Sequence, residues 1–205
     1  MTILLDAGHA AQTKGKRKQR EDGTWFYEYQ FSRDIERRIC NKLDALNISY
    51  IVITPEDDVD IPLSRRAERA NEHARALGKN NCLFISIHSN AAGDGTSWKR
   101  ARGFSAYTSK GYTKSDEYAE IFMKEAETIL PLVGGKARKY CPEKWSWEED
   151  FTVLKKTICP AVLTENLFYD NKEDLAILDS EEGKEAIAQI HINSIIKIIK
   201  DYQNR

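Results

Sequence analysis

The 205-residue sequence has no excess of either charge, with 31 lysines and arginines against 32 aspartates and glutamates. No global field therefore steers it toward nucleic acid or an anionic membrane surface, and no nucleic-acid partner is expected. It also lacks any run approaching the roughly 20 apolar residues that a helix needs to cross a bilayer, so no membrane span is expected. A leader pattern is missing too, because the apolar stretch from Thr2 passes directly into Asp6-Ala7-Gly8-His9. The expectation is a chain made in the cytoplasm or one from which a leader has been removed. The four cysteines, Cys40, Cys82, Cys141 and Cys159, form no C-x-x-C pair, which argues against a thiolate metal site or redox motif and leaves buried free thiols as the expectation. Internal repeats and low-complexity tracts are absent, and the length suits one domain spanning residues 1–205, expected to be a monomer.

What is present is a set of apolar runs that end abruptly in polar side chains. Cys82-Leu83-Phe84-Ile85-Ser86-Ile87 leads into His88-Ser89-Asn90, and such a run bounded by Asn80-Asn81 and Ala91-Ala92-Gly93 predicts a strand covered on both faces. The opening stretch Met1 to His9 and the stretch Pro160 to Glu165 share this design. If all three lie in one parallel or mixed sheet, His9, His88 and Glu165 converge at its carboxyl edge, where open α/β sheets place their ligands.

Between these runs the chain alternates. A polar stretch from Ala10 to Asp22, containing the basic run Lys14 to Arg20, reads as a solvated loop rather than an anion-binding one. An aromatic cluster, Trp25 to Tyr29, leads into a helix with an apolar stripe at Phe31, Ile35, Ile39, Leu43 and Leu46. Glu28 falls in its first turn, where a carboxylate meets the helix dipole. A short strand at 50–54 stops at Pro55. A helix from Leu63 to Leu77 follows, with Ala67, Ala70 and Ala74 inward and Gly78 at its end. A strand at 103–108, a helix at 114–130, an irregular aromatic segment at 136–150 and two final helices opened by Asn171 and Ser180 complete the pattern. It predicts an α/β fold of three layers, with a mostly parallel or mixed central sheet flanked by helices.

Of the four histidines, His73 reads as a surface residue and His191, on one helix face with Ile187 and Ile195, as a core-edge residue. His9, Glu28, His88 and Glu165 have the makings of a catalytic zinc site built from N and O donors with one position open. Their spacing alone does not establish one, since no local motif joins residues so far apart. Asp6 and Asn90 are candidates to support the histidines from behind, because a ligating imidazole usually donates its other N–H to a carboxylate or carbonyl.

The sequence resembles the zinc-dependent N-acetylmuramoyl-L-alanine amidases of the third class, found in cell-wall hydrolases and phage endolysins. The matching motifs are Asp6-Ala7-Gly8-His9; Glu28 followed by Phe31, Ile35 and Ile39; Leu63-x-x-Arg66-x-x-x-x-Asn71; Ser86-Ile87-His88-Ser89-Asn90; and Pro160-Ala161-Val162-Leu163-Thr164-Glu165. They keep their order over nearly the whole chain. The resemblance implies His9, Glu28 and His88 as ligands of Zn2+, Glu165 as the acid/base, and peptidoglycan as substrate, cut between N-acetylmuramic acid and L-alanine at the cell wall. Two departures stand out. Ala10-Ala11 replaces the family's usual Gly-Gly, and the loop from Gln12 to Trp25 is longer and more basic, so that Glu21 and Asp22 compete with Glu28 as the third ligand. Hydrolysis of a different amide, or a wall-binding domain without activity, are the alternatives.

Overall fold

The apolar runs are buried because they form the centre of one sheet. In the computed structural model, which describes residues 1–204, the strands are β1 (Thr2–Ala7), β2 (Arg17–Gln19), β3 (Trp25–Tyr27), β4 (Tyr50–Val52), β5 (Cys82–Asn90), β6 (Ser105–Thr108), β7 (Trp147–Glu148) and β8 (Ala161–Phe168). The helices are α1 (Glu28–Ala45), α2 (Leu63–Leu77), α3 (Lys114–Ile129), α4 (Thr152–Lys156), α5 (Lys172–Asp179) and α6 (Glu181–Gln203). Six strands form a mixed sheet in the order β4-β1-β5-β8-β6-β7, and β2 pairs with β3 in a separate hairpin. The three strands with polar tips, β1, β5 and β8, are adjacent and parallel, while β6 runs antiparallel to β8.

Alternation along each strand assigns its side chains to two helical layers. Ile3, Leu5, Leu83, Ile85, Ile87 and Val162 pack against α1, α3 and α6, where Ile35, Ile39, Phe122, Ile190 and Ile195 are fully buried. Leu4, Phe84, Leu163 and Tyr107 face α2 and α4, through Ala70, Ala74, Val153 and Leu154. Burying each large aliphatic side chain of α1 stabilises by about 1.5–3 kcal/mol, and Phe31, Ile35, Ile39 and Leu43 set which way that helix faces. The small residues of α2 let it lie close to the sheet. Asn71 joins it to the end of α4 in the same layer, donating to the carbonyl of Lys156 at 2.7 Å and accepting from the N–H of Ile158 at 2.8 Å. Thr113 and Asp116 form a capping box at α3, and the Ser180 hydroxyl accepts from Gly183 N–H at α6.

Several expectations are refined. The stretch from Ala10 to Asp22 is not wholly a loop: Arg17–Gln19 pairs with Trp25–Tyr27 as a hairpin that ends at Glu28. β8 continues three residues past Glu165. Between the His88/Glu165 and Asn90/Phe168 pairs β8 carries one extra residue, a bulge, and Leu167 there adopts a left-handed φ of 65°. All four cysteines are free, Cys82 and Cys159 buried, Cys40 and Cys141 half-buried. His191 is fully buried under β8, with Nε2 hydrogen-bonded to Thr164 Oγ1 at 3.0 Å and Nδ1 donating to the Ile187 carbonyl at 2.9 Å. Burial pushes its pKa down to about 4, so this imidazole is a neutral core group. His73, expected at the surface, is half-buried.

Candidate metal centre

Three side chains from three elements meet at the carboxyl edge of the sheet. β1 ends at Ala7, and the chain turns through Gly8 into His9, which takes a left-handed φ of 63°. Gly8 is required by contact: a Cβ there would lie 2.3 Å from Cε1 of His88, whose ring passes over the glycine. Glu28 is the first residue of α1, delivered by the hairpin, and its N–H donates to the carbonyl of Lys16 at 3.0 Å. His88 projects near the end of β5.

Glu28 is the hub. Its Oε1 accepts from Nδ1 of His88 at 3.0 Å and from the backbone N–H of Ser89 at 3.2 Å, and lies 3.3 Å from Nε2 of His9. Burial alone would raise this carboxyl, but the hydrogen bonds and charges of the two imidazoles outweigh it and hold Glu28 well below the ordinary carboxylate range. His88 is shifted down by burial, with Glu28 opposing the shift. One ligand atom from each of His9, Glu28 and His88 lies within 4.8 Å of the others, and the three are the one such cluster among the described residues. Glu28 Oε2 is buried without a hydrogen-bond partner. A buried anion with an unused oxygen beside two imidazoles is a donor set that fits zinc, which takes N and O ligands with one position left open.

Glu165 stands next to this cluster, since its Cα is paired in register with that of His88 across two parallel strands. Its Oε2 is also without a partner. Burial, and then the charge of Glu28, push its pKa well above the ordinary carboxylate value, while Lys16 opposes them. Asn166, which follows it, donates to the carbonyl of His88 at 2.8 Å and ties the two strands together at the bulge. An opening of about 260 Å³ leads from Glu165 past Asn90, Tyr169, Lys14 and Lys16 to the surface.

Not every candidate is placed as the sequence suggested. Asp6 is buried beneath His88, but its bonds go to Arg66 Nη1 at 2.9 Å, Ser86 Oγ at 2.6 Å and Thr54 Oγ1 at 3.1 Å. It acts on His88 through its charge and not through a bond. Asn90 uses its side-chain oxygen on the N–H of Ala91 at 2.8 Å. Glu21 is exposed and ion-paired with Lys172. Asp22 accepts from Thr24 within its own turn. In the sequence Arg66 and Ser89 stand only as motif positions without a role, and Asn166 is not named; all three shape the site. The inward stripe of α2, on which Arg66 neighbours Ala67 and Ala70, is the signal that could have shown Arg66 to be buried.

With this geometry in place, comparison with known proteins is decisive for the family. Residues 3–197 match the N-acetylmuramoyl-L-alanine amidase family. The chain belongs to that family. It is 28% identical over 202 residues to the endolysin of Bacillus phage SPP1, covering 96% of this chain and 65% of the phage protein. It is also 28% identical over 198 residues to the N-acetylmuramoyl-L-alanine amidase CwlM of Bacillus licheniformis, covering 95% of this chain and 67% of that protein. The chain thus spans about two thirds of the length of these relatives. The crystal structure of the N-acetylmuramoyl-L-alanine amidase from Clostridium difficile 630 superposes with a TM-score of 0.78 over 97% of this chain and 96% of that one, at 24% identity. This likeness establishes the mixed sheet with flanking helices as the family's fold.

Proposed function

We propose that this chain is a zinc-dependent hydrolase that cuts the amide between N-acetylmuramic acid and L-alanine in peptidoglycan, acting at the cell wall as a single catalytic domain over residues 1–205. His9, Glu28 and His88 hold the metal and Glu165 moves the proton. The observation that carries this reading is Glu28, fixed between two imidazoles with one oxygen unused, beside a second carboxyl whose Oε2 has no hydrogen-bond partner among the described residues.

Zinc bound by these three residues would polarise the scissile carbonyl and lower the pKa of a water to about 7. Glu165 takes the proton from the attacking water and hands it to the departing nitrogen of L-alanine, because its Oε2 has no hydrogen-bond partner among the described residues and its Cα lies in register with that of His88. Ser89 N–H fixes Glu28, and Gly8 leaves room for the His88 ring, so the donors are set before any substrate arrives. The Asp6–Arg66 pair ties β1 to α2 beneath the site, and Arg66 also donates to the Ile61 carbonyl and to Asp60 in the loop that leads into α2.

The test is digestion of purified peptidoglycan followed by identification of the newly exposed amino terminus. Free L-alanine supports the assignment. Another residue assigns the enzyme to a different amide, and the absence of product would leave a wall-binding domain.

A further inference from the structure

The basic run beside the site is built, not merely solvated. Lys14 and Lys16 are exposed on the rim of the opening that leads to Glu165, and neither is ion-paired with a carboxylate among the described residues. Arg17 lies over the ring of Trp25 at 4.5 Å, also without a carboxylate, whereas Arg20 at the end of the same run is paired with Asp179 at 2.6 Å. The segment is clamped from both sides. The Lys16 carbonyl takes the N–H of Glu28, and the Arg17 carbonyl lies where a Cβ on Gly95 would be only 2.3 Å away. Lys18 is buried, its Nζ donating to the Thr96 carbonyl at 3.2 Å and lying 4.3 Å over the Trp98 ring. Gly15 and Asp94 join the opening to a second groove, of about 490 Å³, lined by Arg17, Trp25 and Thr96. Asp94, the carboxylate in that groove, is turned onto Thr96, whose N–H and hydroxyl it accepts at 3.0 and 2.6 Å.

We infer that Lys14, Lys16 and Arg17 form a subsite for a carboxylate on the leaving peptide, carried by the residue that follows L-alanine. This rests on the amidase reading and specifies the substrate it takes. Two unpaired cations set beside a reacting carboxyl by a backbone bond to a ligand residue meet an anion without losing the freedom of a mobile loop. Successive residues of an extended peptide advance about 3.3–3.6 Å, so a carboxylate one residue past the cut falls within about 7 Å of the scissile amide. The rim that holds Lys14 and Lys16 opens directly onto Glu165. Arg17 against Trp25 extends the groove with a face on which an apolar part of the peptide can lie.

The experiment uses two soluble muramoyl-dipeptides that differ in one group, a carboxylate or a carboxamide on the residue after L-alanine. Binding to the zinc-loaded full chain is measured by calorimetry and cleavage by amino-terminus release. Exposed ion pairs are individually weak, so the wild type should favour the acid by about five- to tenfold, expressed in KM more than in kcat. In Lys14→Ala/Lys16→Ala the acid-to-amide ratio should fall to about one, and Lys16→Arg should keep it; the ratio cancels any effect common to both substrates. Equal treatment of acid and amide by the wild type, or a preference that survives in the double variant, overturns the inference. So does poly(glycerol phosphate) binding through these lysines with no acid preference, which would make the surface a wall-polymer site. If neither dipeptide is cut while binding still prefers the acid and loses that preference in the double variant, the subsite stands and the amidase reading fails.

Discussion

Replacing Glu165 by glutamine isolates proton transfer from every other role at the site. The side chain keeps its volume, and its carboxyl oxygen Oε2 makes no hydrogen bond that the amide would lose. Burial and the neighbouring Glu28 disfavour charge on Glu165, so the neutral amide should leave the fold intact. His9, Glu28 and His88 keep their mutual contacts, none of which passes through Glu165. The whole effect should therefore appear in the rate. A positioned general base contributes about 10²–10⁴, equivalent to roughly 3–5 kcal/mol of barrier. The assay measures kcat on solubilised peptidoglycan together with zinc per chain and thermal midpoint for Glu165→Gln and wild type. Activity within a few-fold of wild type would refute the assignment, and release of zinc would make Glu165 a ligand and Glu28 the base.

Two further outcomes concern stability. Arg66→Ala should destabilise by about 3–5 kcal/mol, seen as a lower denaturant midpoint at unchanged slope, because it strands Asp6 in a site where both partners are almost fully buried; a loss below about 1 kcal/mol would contradict this. Glu36, on α1, is raised to about 7 by burial and then by Asp6, with Asp57 adding to the rise and Arg33 and the Ala7 backbone opposing it. A folded pKa above the unfolded value of 4.5 means that the native state binds the extra proton, so stability is full below about pH 4.5 and falls as pH rises toward 7. The whole span is worth about 3 kcal/mol before relaxation, and Glu36→Gln should remove that slope from the pH dependence of unfolding.

Much of this architecture could be read from residue order. α2 begins and ends where the spacing of its alanines and Gly78 place it, and Glu28 opens α1 as the stripe from Phe31 to Leu43 requires. The convergence of His9, His88 and Glu165 follows from three buried runs ending in polar groups, which here form the adjacent strands β1, β5 and β8. Less was legible where contacts are distant. The strands of the β2–β3 hairpin are three residues each, too short for a period to show, and β2 reads Arg-Lys-Gln. The bulge after Glu165 depends on Asn166 bonding to His88 across strands, which no local rule encodes. Asp6 looked like a histidine's partner because a ligating imidazole usually donates its other N–H to a carboxylate, but a guanidinium 60 residues away takes it through a charge-assisted bond.

The central claim, that His9, Glu28 and His88 form one metal centre, is tested most directly by zinc content after extensive dialysis, compared among wild type, Glu28→Ala and Glu21→Ala. Glu28 touches both imidazoles, while Glu21 is exposed and paired with Lys172. The expected result is one zinc per chain in wild type and in Glu21→Ala, and its loss in Glu28→Ala. A wild-type chain that cleaves peptidoglycan while free of metal, or a Glu28→Ala chain that retains its zinc, would contradict it.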